Sequence, residues 1–192
     1  MNDHIAIVTL RAGACVVMPI IGNQNRYGLV AQALHWVTAV LVLWAWLIAG
    51  TWGRDDTSPV MALHQTLGFT IFALVLLRLL WRLFDRRPKD PPMPTALALA
   101  AKASHWLLYG LLVAIPLTAI VGSWLEGHPI LIYGGEIGPW LAQSRHLGYQ
   151  ILEVHKLLGT SLMWLAGLHA AAAIFHHFFL RDRVPRQMLP VG

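Results

Sequence analysis

Four long apolar runs constrain this chain more than any other feature. They cover about Leu29–Trp52, Ala62–Phe84, Ala96–Leu125 and Tyr149–Leu180, and each exceeds the roughly 20 residues a helix needs to cross a bilayer. In hydrocarbon the backbone N–H and C=O groups must be satisfied within their own segment, so each run reads as a transmembrane α-helix. The expected fold is an all-α integral membrane four-helix bundle. The third and fourth runs exceed what a crossing requires, which predicts tilt or projection into water. Pro116 predicts a kink in the third. Between the second and third runs, DRRPKDPPMPT is charged and proline-rich, a helix stop. Only 12% of the 192 residues are charged, about half the share of a soluble domain. Nine tryptophans suit a protein with two water–lipid interfaces.

The basic residues then orient the bundle. Arg11, Arg26, Arg78, Arg82, Arg86, Arg87, Lys89, Lys102, Arg181, Arg183 and Arg186 fall on one side. Only Arg54, Arg145 and Lys156 fall on the other, beside Asp55, Asp56, Glu126, Glu136 and Glu153. Positive charge is retained on the cytoplasmic side, so both termini are expected there. The same asymmetry accounts for the net charge of +5 without a nucleic-acid partner. Residues 1–25 read as a separate N-terminal extension. Its apolar stretch from Ile5 to Ile21 is interrupted by Arg11 and Pro19, and no basic cluster precedes it as in a signal peptide. A poorly structured or interfacial segment is expected there, with residues 26–192 forming the membrane domain. The lone Cys15 excludes an internal disulfide and a C-x-x-C-H haem attachment.

Polar side chains are costly inside a bilayer and mark function, which turns attention to the histidines. His35 opens the first helix and His105 the third, on the cytoplasmic side; His64 opens the second and His155 the fourth, on the outer side. His169 follows His155 by 14 residues, about 21 Å of helix rise and almost the same rotational position. One helix therefore offers an imidazole at each of two depths. Each depth has a partner from another helix: His64 outside, His35 or His105 inside. That pattern suits two stacked bis-histidine haems in a four-helix bundle.

A porphyrin approaching its ligand needs a small residue one turn away, on the same helix face. Gly68 follows His64 at that offset, Gly159 follows His155, Ala39 follows His35 and Ala173 follows His169, whereas His105 is followed by Tyr109. The expected iron ligands are therefore His64 with His155 and His35 with His169. A zinc site is disfavoured, because His155 and His169 are too far apart to share an ion. A proton relay does not explain the paired depths. Arg78 lies 14 residues after His64 and so reaches the inner depth, where it either pairs with a haem propionate or snorkels to water.

The segments RYGLVAQALHW, HQTLGF with LLRLLWR, HWLLYGLLVAIP, and HKLLG with GLHAAAAIFHH resemble the bacterial cytochrome b561 family over about Arg26 to Pro190. The resemblance is to its small stand-alone members, a group that includes superoxide oxidases. It implies a four-helix bundle with two haem b groups, the same four histidine ligands, and ubiquinone as electron partner. His176, seven residues beyond His169, is the leading candidate to hydrogen-bond a quinone and exchange protons with it, against a plain interfacial role. His105 and Arg82 are further candidates for that neighbourhood. The expected activity is an oxidoreductase passing electrons from an outer donor, with superoxide as the candidate, to quinone. Positive charge near the outer haem would attract that anion, and Arg145 and Lys156 are available beside nearby glutamates. The loop EGHPILIYGGEIGPW is expected to cover the outer haem. Two alternatives are the membrane cytochrome subunit of a hydrogenase or other dehydrogenase, and a haem-free transporter or interaction protein.

Overall fold

The computed structural model describes residues 5–9, 15–23, 26–51, 58–85, 88, 94–180 and 187–188. Four helices dominate: α1 (Leu29–Ile48), α2 (Pro59–Phe84), α3 (Thr95–Glu126) and α4 (Arg145–Phe175). All are long and apolar enough to cross a membrane, and the protein is a multi-pass membrane bundle. α1 stops at Ile48, short of the expected Trp52, which lies outside the described residues. Also outside them lie Asp55 and Asp56, the loop cations Arg54, Arg86, Arg87 and Lys89, and Arg11, Arg181, Arg183 and Arg186.

Local chemistry sets the helix ends. Ser58 caps α2 by accepting from the Val60 N–H at 3.3 Å, and Pro59 fills the first helical position, where no N–H is needed. α3 closes at Gly127, whose left-handed backbone (φ 91°) lets the His128 N–H donate back to the Ser123 carbonyl at 2.9 Å. Hydroxyls inside the helices turn back onto their own backbone: Thr38 donates to Leu34 O, Thr70 to Thr66 O, and Thr118 to Ala114 O. That local bonding leaves these hydroxyls satisfied in lipid.

The packing is thin, as suits a lipid-solvated protein. Ala45, Leu67, Ile71 and Val75 form the core, with Leu41, Val42, Ile48, Leu79, Leu112 and Val113 against it. Large apolar side chains such as Trp44, Leu80, Trp106, Trp164 and Leu168 stay exposed, a surface no water-soluble monomer of this size would carry. α1 packs chiefly on α2, and α3 on α4, with a lesser contact between α2 and α3. Gly122 and Gly148 let α3 and α4 meet closely, since a Cβ on Gly122 would lie 2.8 Å from the Leu152 side chain. α1 and α4 barely touch, so the two helical hairpins meet chiefly through α2 and α3.

Two differences from the sequence expectation stand out. The N-terminal extension contains an antiparallel hairpin, β1 (Ile5–Thr9) with β2 (Cys15–Pro19), where an unstructured or interfacial segment was expected. Its alternation of apolar residues is short, and Arg11 interrupts the apolar run in the sequence. Beyond α4, residues His176–Leu180 form a π-helical turn, not a continued α-helix. The segment ahead of α1 meets residues 187–188 at one end of the bundle, termed the terminus-bearing end: the Tyr27 N–H donates to Gln187 O and the Trp36 indole to Met188 O, while the Gly22 N–H donates to Asp85 at the end of α2. At the opposite end a second hairpin, β3 (Ile130–Ile132) with β4 (Gly135–Ile137), lies on α2.

Candidate functional site: two levels of paired histidines

At the hairpin-capped end His64 and His155 face each other from α2 and α4. Their ring centroids are 6.3 Å apart and the rings are almost perpendicular, at 85°. Two metal–nitrogen bonds of about 2 Å, with the ring radii added, span about 6 Å, so this separation matches two imidazoles gripping one iron. Their Nδ1 atoms are held by backbone carbonyls: Ala45 O at 3.0 Å for His64 and Ile115 O at 2.9 Å for His155. A carbonyl can only accept, so each Nδ1 carries the proton and each Nε2 the lone pair. That is the tautomer a metal requires, fixed by its second shell. One turn along each helix stand Gly68 and Gly159, where an added Cβ would meet nothing within 4 Å. Ligand spacing, tautomer and open space together fit a porphyrin between α2 and α4.

The other level is built differently. His35, Arg78, His105 and His169 form one cluster near the terminus-bearing end. Arg78 Nη1 lies 3.0 Å from His35 Nδ1. A guanidinium only donates, so here Nδ1 accepts and the His35 proton sits on Nε2. The His169 ring packs edge-on against His105, with centroids 5.4 Å apart. Tyr109 joins the cluster to its surroundings. Its hydroxyl accepts from Arg82 at 3.2 Å, and both Arg78 and Arg82 stand 5.5 Å from its ring centre.

The structure therefore brings His64 and His155 together, and gathers His35, His105, His169 and Arg78 at the second level. His176 is half-buried where α4 changes to the π-helical turn. Its own backbone stays α-helical (φ −59°, ψ −38°) and its N–H donates to Ala172 O, so the change of pitch falls beyond it. Among the described residues no cluster of three or more His, Cys, Asp or Glu side chains is spaced to hold a free metal ion. Sequence reasoning missed the two carbonyl partners, because every residue carries one and no side chain marks them. It also missed Tyr109, read there only as the bulky neighbour of His105.

The hairpin lies beside the first level, bonded to the α2 residues that follow His64. The Leu131 N–H donates to the Gln65 side chain at 2.7 Å, and the Tyr133 hydroxyl bonds Thr70 at 2.6 Å. Trp124 donates to Ile137 O at 3.1 Å, which fixes the returning strand. Lys156, one of two cations expected near this level, is committed to Glu153 at 2.6 Å.

The family model for prokaryotic cytochrome b561 matches residues 26–191. Cytochrome b561 homolog 2 of Escherichia coli (strain K12) is 28% identical over 179 residues, covering 90% of this chain and 95% of that protein. A probable superoxide oxidase, CybB, of Yersinia pestis is 28% identical over 172 residues, covering 87% and 97% respectively. Cytochrome b562 of Cereibacter sphaeroides is 27% identical over 176 residues, covering 87% and 97%.

Proposed function

Because the chain belongs to the prokaryotic cytochrome b561 family, whose business is membrane electron transfer, we propose that it carries electrons from a donor at the hairpin-capped end to ubiquinone at the terminus-bearing end. The observation that carries this reading is the pair His64 and His155, set at iron-ligand spacing with both Nδ1 atoms tied to carbonyls. Two b-type haems, when bound, would supply one-electron redox centres at two depths of the bilayer. His64 and His155 would hold one, and His35 and His169 the other. For the second, Arg78 must release the His35 Nδ1; its guanidinium is then available to a propionate, which needs a compensating cation.

Superoxide is the donor we favour. Support comes from the name of the Yersinia relative, 97% of whose length this chain covers. Two superoxide anions give up one electron each and leave as dioxygen; ubiquinone takes up the two electrons and two protons. Among the described residues Arg145 is the outer-side cation left to attract the anion, because Lys156 is held by Glu153. On the quinone side His176 would donate a hydrogen bond to the carbonyl oxygen and pass protons. The distribution of basic residues supports placing that side in the cytoplasm of a bacterial inner membrane.

The test is a rapid-mixing experiment on purified, pigment-loaded protein. Superoxide should produce the sharp reduced visible bands of a bis-histidine haem b, and added ubiquinone should reoxidise them. Bands that appear with dithionite but never with superoxide would sink the donor assignment. A colourless preparation would sink the whole reading.

A further inference from the structure

We propose that a pocket between α2 and α3, at the terminus-bearing end, binds the headgroup of an anionic glycerophospholipid. It is lined by Leu79, Arg82, Lys102, His105, Trp106 and Tyr109. Depth is the first support. α3 has 32 residues, and counting about 20 back from Glu126, the length of a crossing, reaches Trp106. Lys102 and His105 therefore project past the hydrocarbon, at headgroup level. Arg82 stands at the same level, two residues before the end of α2 at Phe84.

Charge is the second support. Apart from Glu126 at its far end, α3 contains no carboxylate, and α2 contains none. Among the described residues neither Arg82 nor Lys102 pairs with a carboxylate; Arg82 instead donates to the Tyr109 hydroxyl. That hydrogen bond and the Tyr109 ring hold the guanidinium at the pocket wall. Among the described residues no carboxylate pairs with this ammonium or guanidinium, and the neighbouring Asp85 accepts instead from the Gly22 N–H, which calls for an anion. Shape is the third support. Trp106 is 74% exposed, and an indole of this kind settles at the bilayer interface. With Leu79 it offers an apolar flank along which an acyl chain can descend from the phosphate. Basic pockets between helices at this depth suit anionic lipid headgroups, whereas a neutral quinone, though its carbonyls can accept hydrogen bonds, leaves two positive charges uncompensated. The proposal depends on the membrane placement of the helices and not on the donor or quinone assignments.

Native mass spectrometry of the pigment-loaded protein, delipidated and then titrated with lipid, is the decisive experiment. Wild type should retain one phosphatidylglycerol in preference to phosphatidylethanolamine. Arg82→Gln with Lys102→Gln should weaken phosphatidylglycerol roughly thirtyfold, at about one cationic contribution per residue. The single Lys102→Gln, at an exposed position, should give a smaller loss and guards against a misfolded double variant. Arg82→Lys with Lys102→Arg, which keeps the charge, should restore binding. Equal retention of both lipids, or a double variant that binds as wild type, overturns the proposal. So does competition by inorganic phosphate at equal concentration, which marks an anion site indifferent to acyl chains, or one-for-one displacement by ubiquinone. Loss of visible absorbance in the variants would show that these cations serve the cofactor and would overturn it too.

Discussion

In the hairpin α1–α2, His35 is followed ten residues later by Ala45, whose carbonyl holds His64, and 14 residues beyond His64 stands Arg78. The hairpin α3–α4 repeats the spacing: His105, then Ile115 ten residues on, whose carbonyl holds His155, then His169 after 14. Antiparallel helices with equal rise bring these positions to the same two depths. At the capped level the hairpins are equivalent, and each presents an imidazole in the same tautomer. At the other level they differ by one side chain, an arginine in the first where the second has a histidine. The first level is thus a symmetric pair of ligands. The second holds three imidazoles and a permanent cation, and one of its expected ligands, His35, is engaged by that cation. A fixed positive charge favours whatever added electron lies beside it. The asymmetry therefore biases electrons towards the terminus-bearing level, the direction that quinone reduction at that end requires.

The largest effect should come from breaking the symmetric level. His155→Ala is expected to lower haem content from two per chain to one, measured as absorbance against protein mass, with helical content unchanged. Gly159→Leu should do nearly the same by a different route. A Cβ there meets nothing within 4 Å, so the polypeptide tolerates it, while the porphyrin loses its space. A Gly159→Leu protein with full pigment would show that the gap beside the ligands is lipid-facing and that the fit argued for this level is accidental.

The asymmetric level is probed by Arg78→Gln. Removing a cation destabilises the reduced form, so the midpoint potential of that level should fall. A charge-assisted contact of about 1.5 kcal/mol corresponds to about 60 mV for one electron. Redox titration should show the two midpoints closer together, with the capped level unmoved. An equal shift at both depths, or none, would remove the proposed bias.

Much of this contrast was legible in the sequence. The four spans follow from uninterrupted apolar length, and His64, His155 and His169 from a spacing that any α-helix translates into depth. Arg78 was placed at the inner depth by the same arithmetic, and the structure puts it beside His35. What could not be read were contacts made by groups that all residues share. The carbonyls of Ala45 and Ile115 decide the ligand tautomer, yet nothing in an alanine or isoleucine announces it. The π-helical turn at His176 was hidden for a related reason: HHFFL is compatible with either helical pitch, and tertiary context decides between them. The N-terminal hairpin was missed because two five-residue strands leave too little alternation to outweigh a general apolar character.

The smallest expected effect concerns how the two levels meet water. The capped level lies beside a β-hairpin pinned to α2 through Gln65, Thr66 and Thr70, whereas the other stands beside the segments around Tyr27, Gln187 and Met188. Tyr133→Phe keeps the ring and removes only the hydroxyl bond to Thr70. Tyr133 is 72% exposed, so water replaces part of what is lost, and one net hydrogen bond of at most about 1 kcal/mol changes an opening equilibrium by no more than about fivefold. If the hairpin must lift for a bulky donor to approach, a membrane-impermeant reductant should reduce the capped level a few times faster in the variant. Superoxide, small enough to pass a closed hairpin, should react at the unchanged rate. A variant that accelerates both donors alike would mean the hairpin gates everything. One that accelerates neither would mean Gln65 and Thr66 hold it down without Tyr133, and the difference in water access between the levels would then rest on the backbone of the hairpin and not on its tip.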